Sequence, residues 1–380
     1  MILEYFNPVE KNVLDFTNKL SSTNFGNKIG INGRDGFDGF EKTDIVVFSI
    51  NDYRDDQSVK KSFNADKDFR KKLYGLHYGN WKFKLYDLGN LISGDRVSDT
   101  KFAIEKIIEH CNNNEVFVIT VGGTQELTST CYNSLKRCLN KINLVTINNR
   151  VDFVKNGNVE ESYLSKIIMD EDNKLNQYSN IGFQKHLTST DEIELIDKMK
   201  FEALSLGKVK SNLVEAEPIL RDANIVSFNI MSIKSGDINN AHQYPNGLTA
   251  HEFCSLAMYS GLSSKTKVVS FFENWDFKII NSLLAESVWY TVDGFNSRFD
   301  ENPHDSSEDF ITYFIDVDNY KFKFFKSLIT GRWWVEFLND ELINVEKDMI
   351  SCISNDYYNC KNNIISERIL TRLKNKITWI

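Results

Sequence analysis

Cysteine is sparse in this sequence, with six residues in 380, and no two of them form a CxxC pair. Pairs with that spacing are the usual sign of a zinc site or a redox-active dithiol. We therefore interpret the six as buried or incidental thiols: Cys111, Cys131, Cys138, Cys254, Cys352 and Cys360. His251 and Cys254 could share a helix face, but two residues without a third ligand nearby do not make a metal site.

Long apolar runs are also missing. Charged residues make up 26% of the chain, and no apolar stretch approaches the roughly 20 residues that a membrane-spanning helix needs. The first residues, MILEYFNPVEKN, lack the basic region, apolar segment and small-residue cleavage site of a secretory signal. We expect a soluble, cytoplasmic protein without membrane insertion.

An excess of positive charge is absent, because 53 acidic residues outnumber 45 Lys and Arg and give a net charge of −8. A chain with this balance has no broad positive field for a nucleic-acid backbone. Nucleic acid is therefore not the expected partner. A glycine-rich run at residues 30–39 lacks the GK[ST] ending of a phosphate-binding loop and does not follow a strand, which favours an ordinary loop.

Short apolar runs alternate with stretches of helical periodicity over residues 44–295, a pattern typical of a mostly parallel sheet covered by helices on both faces. Most of the runs are almost continuously apolar, which suits strands that are buried on both sides. The predicted strands are residues 44–50, 115–121, 142–147, 224–230 and 267–272. The predicted helices are residues 66–76, 99–111, 127–139, 191–200, 249–260 and 277–294, and Ser189 with Glu192 has capping-box spacing before the fourth.

The C-terminal part has a different pattern. Residues 310–317 and 321–325 predict a hairpin around Asp318-Asn319, followed by the aromatic segment 331–337 and a helix over 363–376. Alternating aromatic residues usually form one face of a half-buried sheet, although an exposed second face would suit an interface. The aromatic residues concerned are Tyr313, Phe314, Phe322, Phe324, Phe325, Trp333 and Trp334.

Polar residues follow three of the predicted strands. These are Gly122 to Glu126 (GGTQE), Asn148 to Asp152 (NNRVD), and a third segment around Asn229 and Met231. Paired glycines permit a tight turn with close backbone packing. Because ligands of open α/β sheets gather at the carboxyl ends of the strands, we expect the functional site among these residues.

These strand ends resemble the motifs GG-x-H, D-x-H-x-D and S-x-D-x-D of the ureohydrolases, the family of arginases, agmatinases and formimidoylglutamases. The resemblance continues in order through DIVVFSINDYRDD, FRKKLYGL, YDLGNL, EAEPILRDANIVSFNI, PNGLTAHE and SVWYTVDGFNSR, and covers about residues 40 to 298. It implies a three-layer arginase-like α/β fold, with a mostly parallel central sheet and helices on both faces, for residues 1–298. Residues 299–380 would form a C-terminal α+β extension.

In that family, two manganese ions are held by the histidines and aspartates of these motifs and activate a bridging water. The resemblance places Gln125 at the first histidine, with Asn148, Arg150 and Asp152 at the second motif and Asn229 and Met231 at the third, so only Asp152 keeps a ligand. Hard cations need anionic oxygens, and a permanently charged guanidinium repels them. We therefore predict a degenerate metal site without a cofactor, in which Arg150 pairs with Asp152.

The favoured hypothesis is a catalytically inactive ureohydrolase relative that binds a protein partner or itself. A second hypothesis is a metal-dependent amidine or guanidine hydrolase with a recoded site that uses fewer or different metals. In an alignment shifted by a few positions, neighbouring acids such as Glu126 or Asp237 would be the ligands. A third is a non-catalytic sensor with a small-molecule pocket, where Arg150 favours an anionic ligand. The possible pocket comprises Gly122, Gly123, Thr124 and Glu273, although Glu273 matches the E-x-N-P context of the family poorly, with Trp275 at the proline position.

Overall fold

The computed structural model describes residues 2–55, 66–153, 162–239, 243–273, 278–305, 307–318, 320–338 and 349–377. Its strands are β1 (Phe6–Asn7), β2 (Gly30–Ile31), β3 (Ile45–Ile50), β4 (Leu85–Leu91), β5 (Phe117–Val121), β6 (Ile142–Ile147), β7 (Leu175–Phe183), β8 (Glu202–Ser205), β9 (Ile225–Asn229), β10 (Val268–Phe272), β11 (Phe310–Val317), β12 (Tyr320–Ser327), β13 (Trp333–Leu338) and β14 (Ile350–Cys352). Its helices are α1 (Lys11–Thr17), α2 (Asp66–Gly75), α3 (Val97–Asn113), α4 (Leu127–Lys136), α5 (Tyr163–Ile168), α6 (Thr190–Lys198), α7 (Leu206–Ser211), α8 (Ala216–Arg221), α9 (Ser235–Ile238), α10 (Ala250–Leu262), α11 (Lys278–Asn296), α12 (Ser354–Lys361) and α13 (Glu367–Ile377).

The central sheet has ten strands among the described residues, in the order β1-β4-β3-β5-β10-β9-β6-β7-β8, with β2 also paired to β4. All pairings are parallel except that of β1 with β4. The inner strands are buried along their length, which explains why their sequences are nearly continuous in apolar residues.

Helices cover both faces of this sheet. On one face, α2, α8, α10 and α11 pack against alternate strand residues such as Val47 and Phe228. On the other face, α3, α4 and α5 pack against the intervening residues, such as Val46 and Ile225. The α/β fold with helices on both faces, expected from the sequence, is therefore confirmed.

Each of the five strands and six helices expected in the α/β part is present, with ends that differ by at most three residues. The capping box is also present, since Ser189 and Glu192 each accept a hydrogen bond from the backbone of the other. Phe277, Trp275 and Asn319 lie outside the described residues. The expected loop at residues 30–39 contains β2, which pairs with β4. None of the described helices is long and apolar enough to span a bilayer.

The C-terminal extension is a four-stranded antiparallel sheet in the order β11-β12-β13-β14. One face packs against α12 and α13, where Phe322, Phe324 and Trp333 meet Cys360 and Leu373. The expected hairpin, aromatic strand and final helix are all present, whereas β14 and α12 were not predicted. The aromatic residues of this face are packed, as their alternation indicated.

A buried network of charges joins the extension to the central sheet. Arg368 on α13 lies 3.1 Å from Asp222, which follows α8, and 3.5 Å from Glu202 on β8. Arg372 lies 2.8 Å from the same Glu202. Ser351 of β14 donates its hydroxyl to Asp222 over 2.7 Å. Both acids are thus paired across the junction between the extension and the sheet.

Arg221, at the end of α8, also contacts the extension beside this network. It donates to the backbone oxygens of Trp333 and Cys352 over 3.1 and 3.0 Å, and its guanidinium lies 4.5 Å from the ring centre of Trp334. Burial lowers the pKa of Arg221. Burial by itself would raise the pKa of Asp222 and of Glu202, but nearby cations outweigh this effect and lower both pKa values below their usual range. The cations are Lys265 and Arg368 at Asp222, and Arg372 and Arg368 at Glu202.

We predict that Arg368→Met lowers the free energy of unfolding by about 3 kcal/mol, because it leaves two buried carboxylates short of a cation. Asp222 and Glu202 have lower pKa values in the folded chain than in the unfolded chain, where a carboxyl group has a pKa of about 4. The stabilisation by their charges is therefore complete above about pH 4 and is lost as the pH falls from there through the folded pKa values. The deficit of Arg368→Met should therefore shrink in acid. Chemical denaturation at several pH values measures both effects.

Lys208→Met is the matched control, because Lys208 pairs with Glu367 across the same junction over 2.7 Å but both side chains are largely exposed. Exposed ion pairs contribute less than about 1 kcal/mol. If Arg368→Met is as stable as Lys208→Met, the buried network does not hold the extension in place.

Candidate functional site

Four strand ends meet at the centre of the sheet. β5, β10, β9 and β6 are consecutive neighbours and run parallel. Their carboxyl ends therefore lie at one edge, where the segments after Val121, Phe272, Asn229 and Ile147 converge. The sequence motifs that predicted a site are brought together at this edge.

The first of these segments begins with a tight turn at Gly122 and Gly123, which have φ values of +99° and +81°. A Cβ at Gly122 would lie 2.3 Å from the backbone oxygen of Ile50, and one at Gly123 would lie 2.5 Å from Leu127 Cδ1. Only glycine fits both positions, because each needs a positive φ and a close approach. The turn fixes the direction in which Thr124 and Gln125 leave β5.

Gln125 connects three of the strand ends. Its backbone N–H donates to Glu273 Oε1 over 2.8 Å, and its Nε2 donates to Ser227 Oγ on β9 over 2.8 Å. Glu273, at the end of β10, returns its own backbone N–H to the oxygen of Gly123 over 3.0 Å. Two members of the predicted pocket, Glu273 and Gly123, therefore hold the first segment against β10.

The second segment contains a tight cluster around Asp152. Asn148 is fully buried and its Nδ2 donates to Asp152 Oδ2 over 2.6 Å. Arg150 Nε lies 3.0 Å from Asp152 Oδ1, so the predicted ion pair forms. The side chain of Arg150 is nevertheless 61% exposed, whereas that of Asp152 is only 17% exposed. The pair bridges the surface and the interior.

The environment of Asp152 disfavours its charge. Burial raises the pKa of Asp152, and the nearby carboxylates of Glu126 and Glu192 add to the shift, against the opposing effects of Arg150 and Asn148. Asp152, Glu273 and Glu192 in turn raise the pKa of Arg150. Arg150 and Asn148 therefore offset only part of the cost of ionising Asp152.

The third segment is stabilised by local hydrogen bonds. Asn229 Oδ1 accepts the backbone N–H of Met231 over 2.8 Å and caps a short 3-10 helix at Ile230–Ser232. The backbone oxygen of Met231 accepts hydrogen bonds from Asn149 Nδ2, over 2.8 Å, and from Gln243 Nε2. The third segment is therefore tied to the second through Asn149.

Glu126 and Asp237, which were considered as replacement metal ligands, have other partners in the structure. Lys166 Nζ lies 3.2 Å from Glu126 Oε2. Asp237 Oδ2 accepts the backbone N–H of Ala250 over 2.8 Å, at the start of α10. Among the described residues, no group of three or more His, Cys, Asp and Glu side chains is arranged to hold a metal ion.

A row of buried polar residues beneath the site was not predicted. Thr120, Ser270, Ser227 and Thr146 lie side by side on β5, β10, β9 and β6. Thr120 donates to Ser270 over 2.8 Å, and Ser227 shares a hydrogen bond of 2.8 Å with Thr128 on α4. The signal that could have revealed the row is a single hydroxyl residue in each of these four strands, which are otherwise apolar except for Asn143 on β6 and Asn229 on β9.

Comparison with known proteins places this arrangement in a fold class. No protein-family model matches the chain, and no curated protein matches its sequence. Solved structures do match. A formiminoglutamase from Trypanosoma cruzi with Mn²⁺ is 15% identical, with a TM-score of 0.61 over 70% of this chain and 97% of that one.

Two further structures agree. Formimidoylglutamase from Bacillus subtilis is 13% identical, with a TM-score of 0.62 over 73% of this chain and 92% of that one. Agmatine ureohydrolase from Thermoplasma volcanium is 16% identical, with a TM-score of 0.54 over 75% and 98%. The sheet and its covering helices thus define a three-layer α/β protein. The chain has the arginase-like fold of these proteins, and the fold that the sequence resemblance implied is confirmed.

The residues at the strand ends do not fit a two-metal centre. Asp152 is the one carboxylate at the six motif positions, and Asn148 and Arg150 already engage both of its oxygens. Asn229 Oδ1 is likewise used by the backbone of Met231. Buried amide oxygens of Gln125 and Asn148 have no hydrogen-bond partner, but two neutral oxygens cannot replace several anionic ligands.

We predict that Asp152→Asn does not destabilise the protein at neutral pH. The pKa of Asp152 is about 4 in the unfolded chain and higher in the folded chain. The folded protein therefore loses stability as the pH rises from the unfolded pKa through the folded pKa, because Asp152 ionises less readily when buried. The substitution removes that cost, so its melting temperature should equal or exceed that of the unsubstituted protein at pH 7, by a margin that narrows towards pH 4. Thermal denaturation across this range measures the margin.

Asp222→Asn is the control with the opposite sign, because cations lower the pKa of Asp222 and its charge stabilises the folded chain. It should lower the melting temperature at pH 7. A loss of stability in Asp152→Asn that matches the loss in Asp222→Asn would show that the charge of Asp152 is needed for the fold.

Proposed function

We propose that this chain is a divergent ureohydrolase relative that has lost the two-metal hydrolytic centre and serves as a binding or scaffolding component of a protein assembly. The observation that carries the proposal is the state of Asp152, whose two oxygens are engaged by Asn148 and Arg150. A carboxylate held between an amide and a guanidinium has a partner for each of its oxygens without a metal ion.

The replacements act together rather than singly. Gln125, Asn148 and Asn229 are neutral, Arg150 is positive, and Met231 offers a soft thioether. Lowering the pKa of a water molecule to make a nucleophile depends on the combined charge of the metal ions, which in turn depends on anionic ligands. A cluster with one engaged acid supports hydrogen bonding between strand ends instead of hydrolysis.

A binding role is supported by what the chain adds to the fold. The match to the Trypanosoma cruzi structure covers 97% of that chain but 70% of this one, so a substantial part of this chain has no counterpart there. The extension contributes a second sheet that is fixed to the body by Arg221, Arg368 and Arg372. A rigid added surface suits recognition of a partner, because little order has to be gained on binding.

The sensor hypothesis is favoured less. Arg150 is exposed enough to meet a ligand, but its guanidinium already pairs with Asp152, and the charges of Glu273 and Glu192 also raise its pKa. An anionic ligand would have to compete with Asp152 for this guanidinium. No observation favours the recoded hydrolase, because Glu126 and Asp237, considered as replacement ligands, have other partners.

We propose a cytoplasmic location on the basis of the thiols. All six cysteines are free, and five of them are buried. Burial raises the pKa of Cys111, and raises that of Cys131 and Cys254 to about 12 and about 11, which keeps these thiols protonated and unreactive. Reduced, buried thiols fit a reducing compartment.

The metal content of the purified protein tests the proposal. We expect far less than one manganese per chain after dialysis against Mn²⁺, measured by elemental analysis, and no hydrolysis of formimino or guanidino substrates. Near-stoichiometric manganese together with turnover would contradict the loss of the centre.

A variant with restored ligands is the matched control. Gln125→His, Asn148→Asp, Arg150→His, Asn229→Asp and Met231→Asp together recreate the family's ligand set around Asp152. The combined variant should bind manganese, because the backbone that carried the ligands is retained. Metal binding by this variant alone would show that the replaced side chains, and not the fold, account for the loss.

A further inference from the structure

The strand β11 forms an edge of the sheet in the extension. It spans eight residues, Phe310–Val317, and pairs on one side with β12, while no described strand pairs with its other side. Natural proteins protect such edges with lysine, proline or a bulge, because unpaired N–H and C=O groups recruit other strands. The sequence FITYFIDV contains neither lysine nor proline, and its register with β12 is unbroken.

The hydrogen-bond pattern identifies which backbone groups face this open edge. The backbone N–H of Leu328 donates to the oxygen of Asp309 over 2.8 Å, in the same register that pairs Phe310 with Ser327. Hydrogen-bonded pairs alternate along an antiparallel ladder, so the odd-numbered residues of β11 bond to β12. Thr312, Phe314 and Asp316 therefore direct their backbone N–H and C=O groups outward, and all three residues are exposed.

The side chains at this edge include a large apolar group. Phe314 is 68% exposed, and Ile311 is 39% exposed. Lys321 of β12 lies directly opposite Asp316, the one charged residue of the strand. The edge is thus a strand with one charged residue and a largely exposed aromatic ring near its centre, with the Lys323 ammonium of β12 6.0 Å from the ring centre. An exposed edge of this kind can be extended by a second β-strand.

We propose that β11 pairs antiparallel with β11 of a second copy of this chain, about a two-fold axis at Phe314, so that the two extensions form one continuous sheet. This inference rests on the proposed binding role and names its partner. Residues that face each other across such an axis have numbers that add to 628. Phe314 then meets its own copy, and Thr312 meets Asp316 in both directions.

The strand is complementary to itself in this register. The two Phe314 rings would lie side by side and shield each other from water, and cross-strand aromatic pairs stabilise sheets. Each Thr312 hydroxyl can donate to an Asp316 carboxylate of the other copy, while Lys321 balances that charge. Three outward residues on each strand make about six backbone hydrogen bonds across the axis. An unrelated strand would not match both the ring and the threonine–aspartate pairs.

Helix packing leaves room for this pairing. The face of the extension that carries Tyr313 and Ile315 is covered by α12, with Tyr313 4.8 Å from the ring centre of Tyr357. The opposite face carries Thr312, Phe314 and Asp316, and all three are exposed. Neither face of the strand has to be rebuilt for a second strand to be added.

Sedimentation equilibrium of the full-length chain over a range of concentrations tests the pairing. We expect a reversible dimer. Phe314→Lys should raise its dissociation constant at least tenfold, because two lysines would then face each other at the axis. Ile364→Lys is the matched control, since Ile364 is 58% exposed on the same extension but lies outside β11. Circular dichroism verifies that both variants are folded.

A disulfide tests the register independently. Residues directly opposite each other in a hydrogen-bonded antiparallel pair have Cα atoms about 5.5 Å apart, which is within the range of a disulfide. Phe314→Cys should therefore form a covalent dimer on oxidation, and Ile364→Cys should not. A monomer at every concentration, or a dimer that Phe314→Lys and Ile364→Lys affect equally, would overturn the pairing. Either result would leave the metal and hydrolysis tests of the proposed function unaffected.

Discussion

Parallel strands that end together must satisfy their polar groups in one place, and this constraint shapes the centre of the molecule. β5, β10, β9 and β6 deliver loop backbone and polar side chains to a single buried edge. In a metal-containing hydrolase of this fold, cations organise such an edge. Here, hydrogen bonds connect the segments that follow the strands. The backbone N–H of Gln125 donates to the side chain of Glu273, the side chain of Asn149 donates to the backbone of Met231, and the side chain of Asn148 donates to that of Asp152. The donors in these three bonds are neutral amides, and the acceptors are two carboxylates and a backbone oxygen.

Charge explains why these substitutions form a coherent set. Several carboxylates at close range repel one another unless cations lie between them. Under the proposed loss of the metal centre, amides of similar shape remove that repulsion and can bond to one another or to backbone. Asp152 remains acidic, and Arg150 supplies its counter-charge from the surface. The raised pKa of Asp152 shows that the balance is still incomplete.

The sequence predicted the α/β core because the inner strands are apolar on both faces, and the ureohydrolase motifs predicted the fold. It did not predict β4 or β7, since polar residues interrupt both. Asp87 of β4 is buried and bonds to Arg70 and Tyr74, which lie on helix α2 and not in the strand itself. On β7, Asn180 is buried by bonds to Thr146 and to the backbone oxygen of Arg150. Tertiary partners of this kind cannot be inferred from local periodicity.

The same limitation applies to the site. The Arg150–Asp152 pair followed from charge and spacing, but the exposure of Arg150 depends on how the second segment leaves β6. The link between Gln125 and Ser227 depends on strand order, because β9 becomes a near neighbour of β5 only when β10 lies between them. Strand order in a sheet of this size is not encoded in any short stretch of sequence.

Buried polar groups also need partners where the extension meets the core. Asp222 and Glu202 belong to the arginase-like body, yet the cations that lower their pKa values include Arg368 and Arg372 of the last helix. Removing the extension would leave two buried acids without these partners, so the body and the extension are energetically one unit. A sheet anchored in this way holds β11 at a fixed position and orientation.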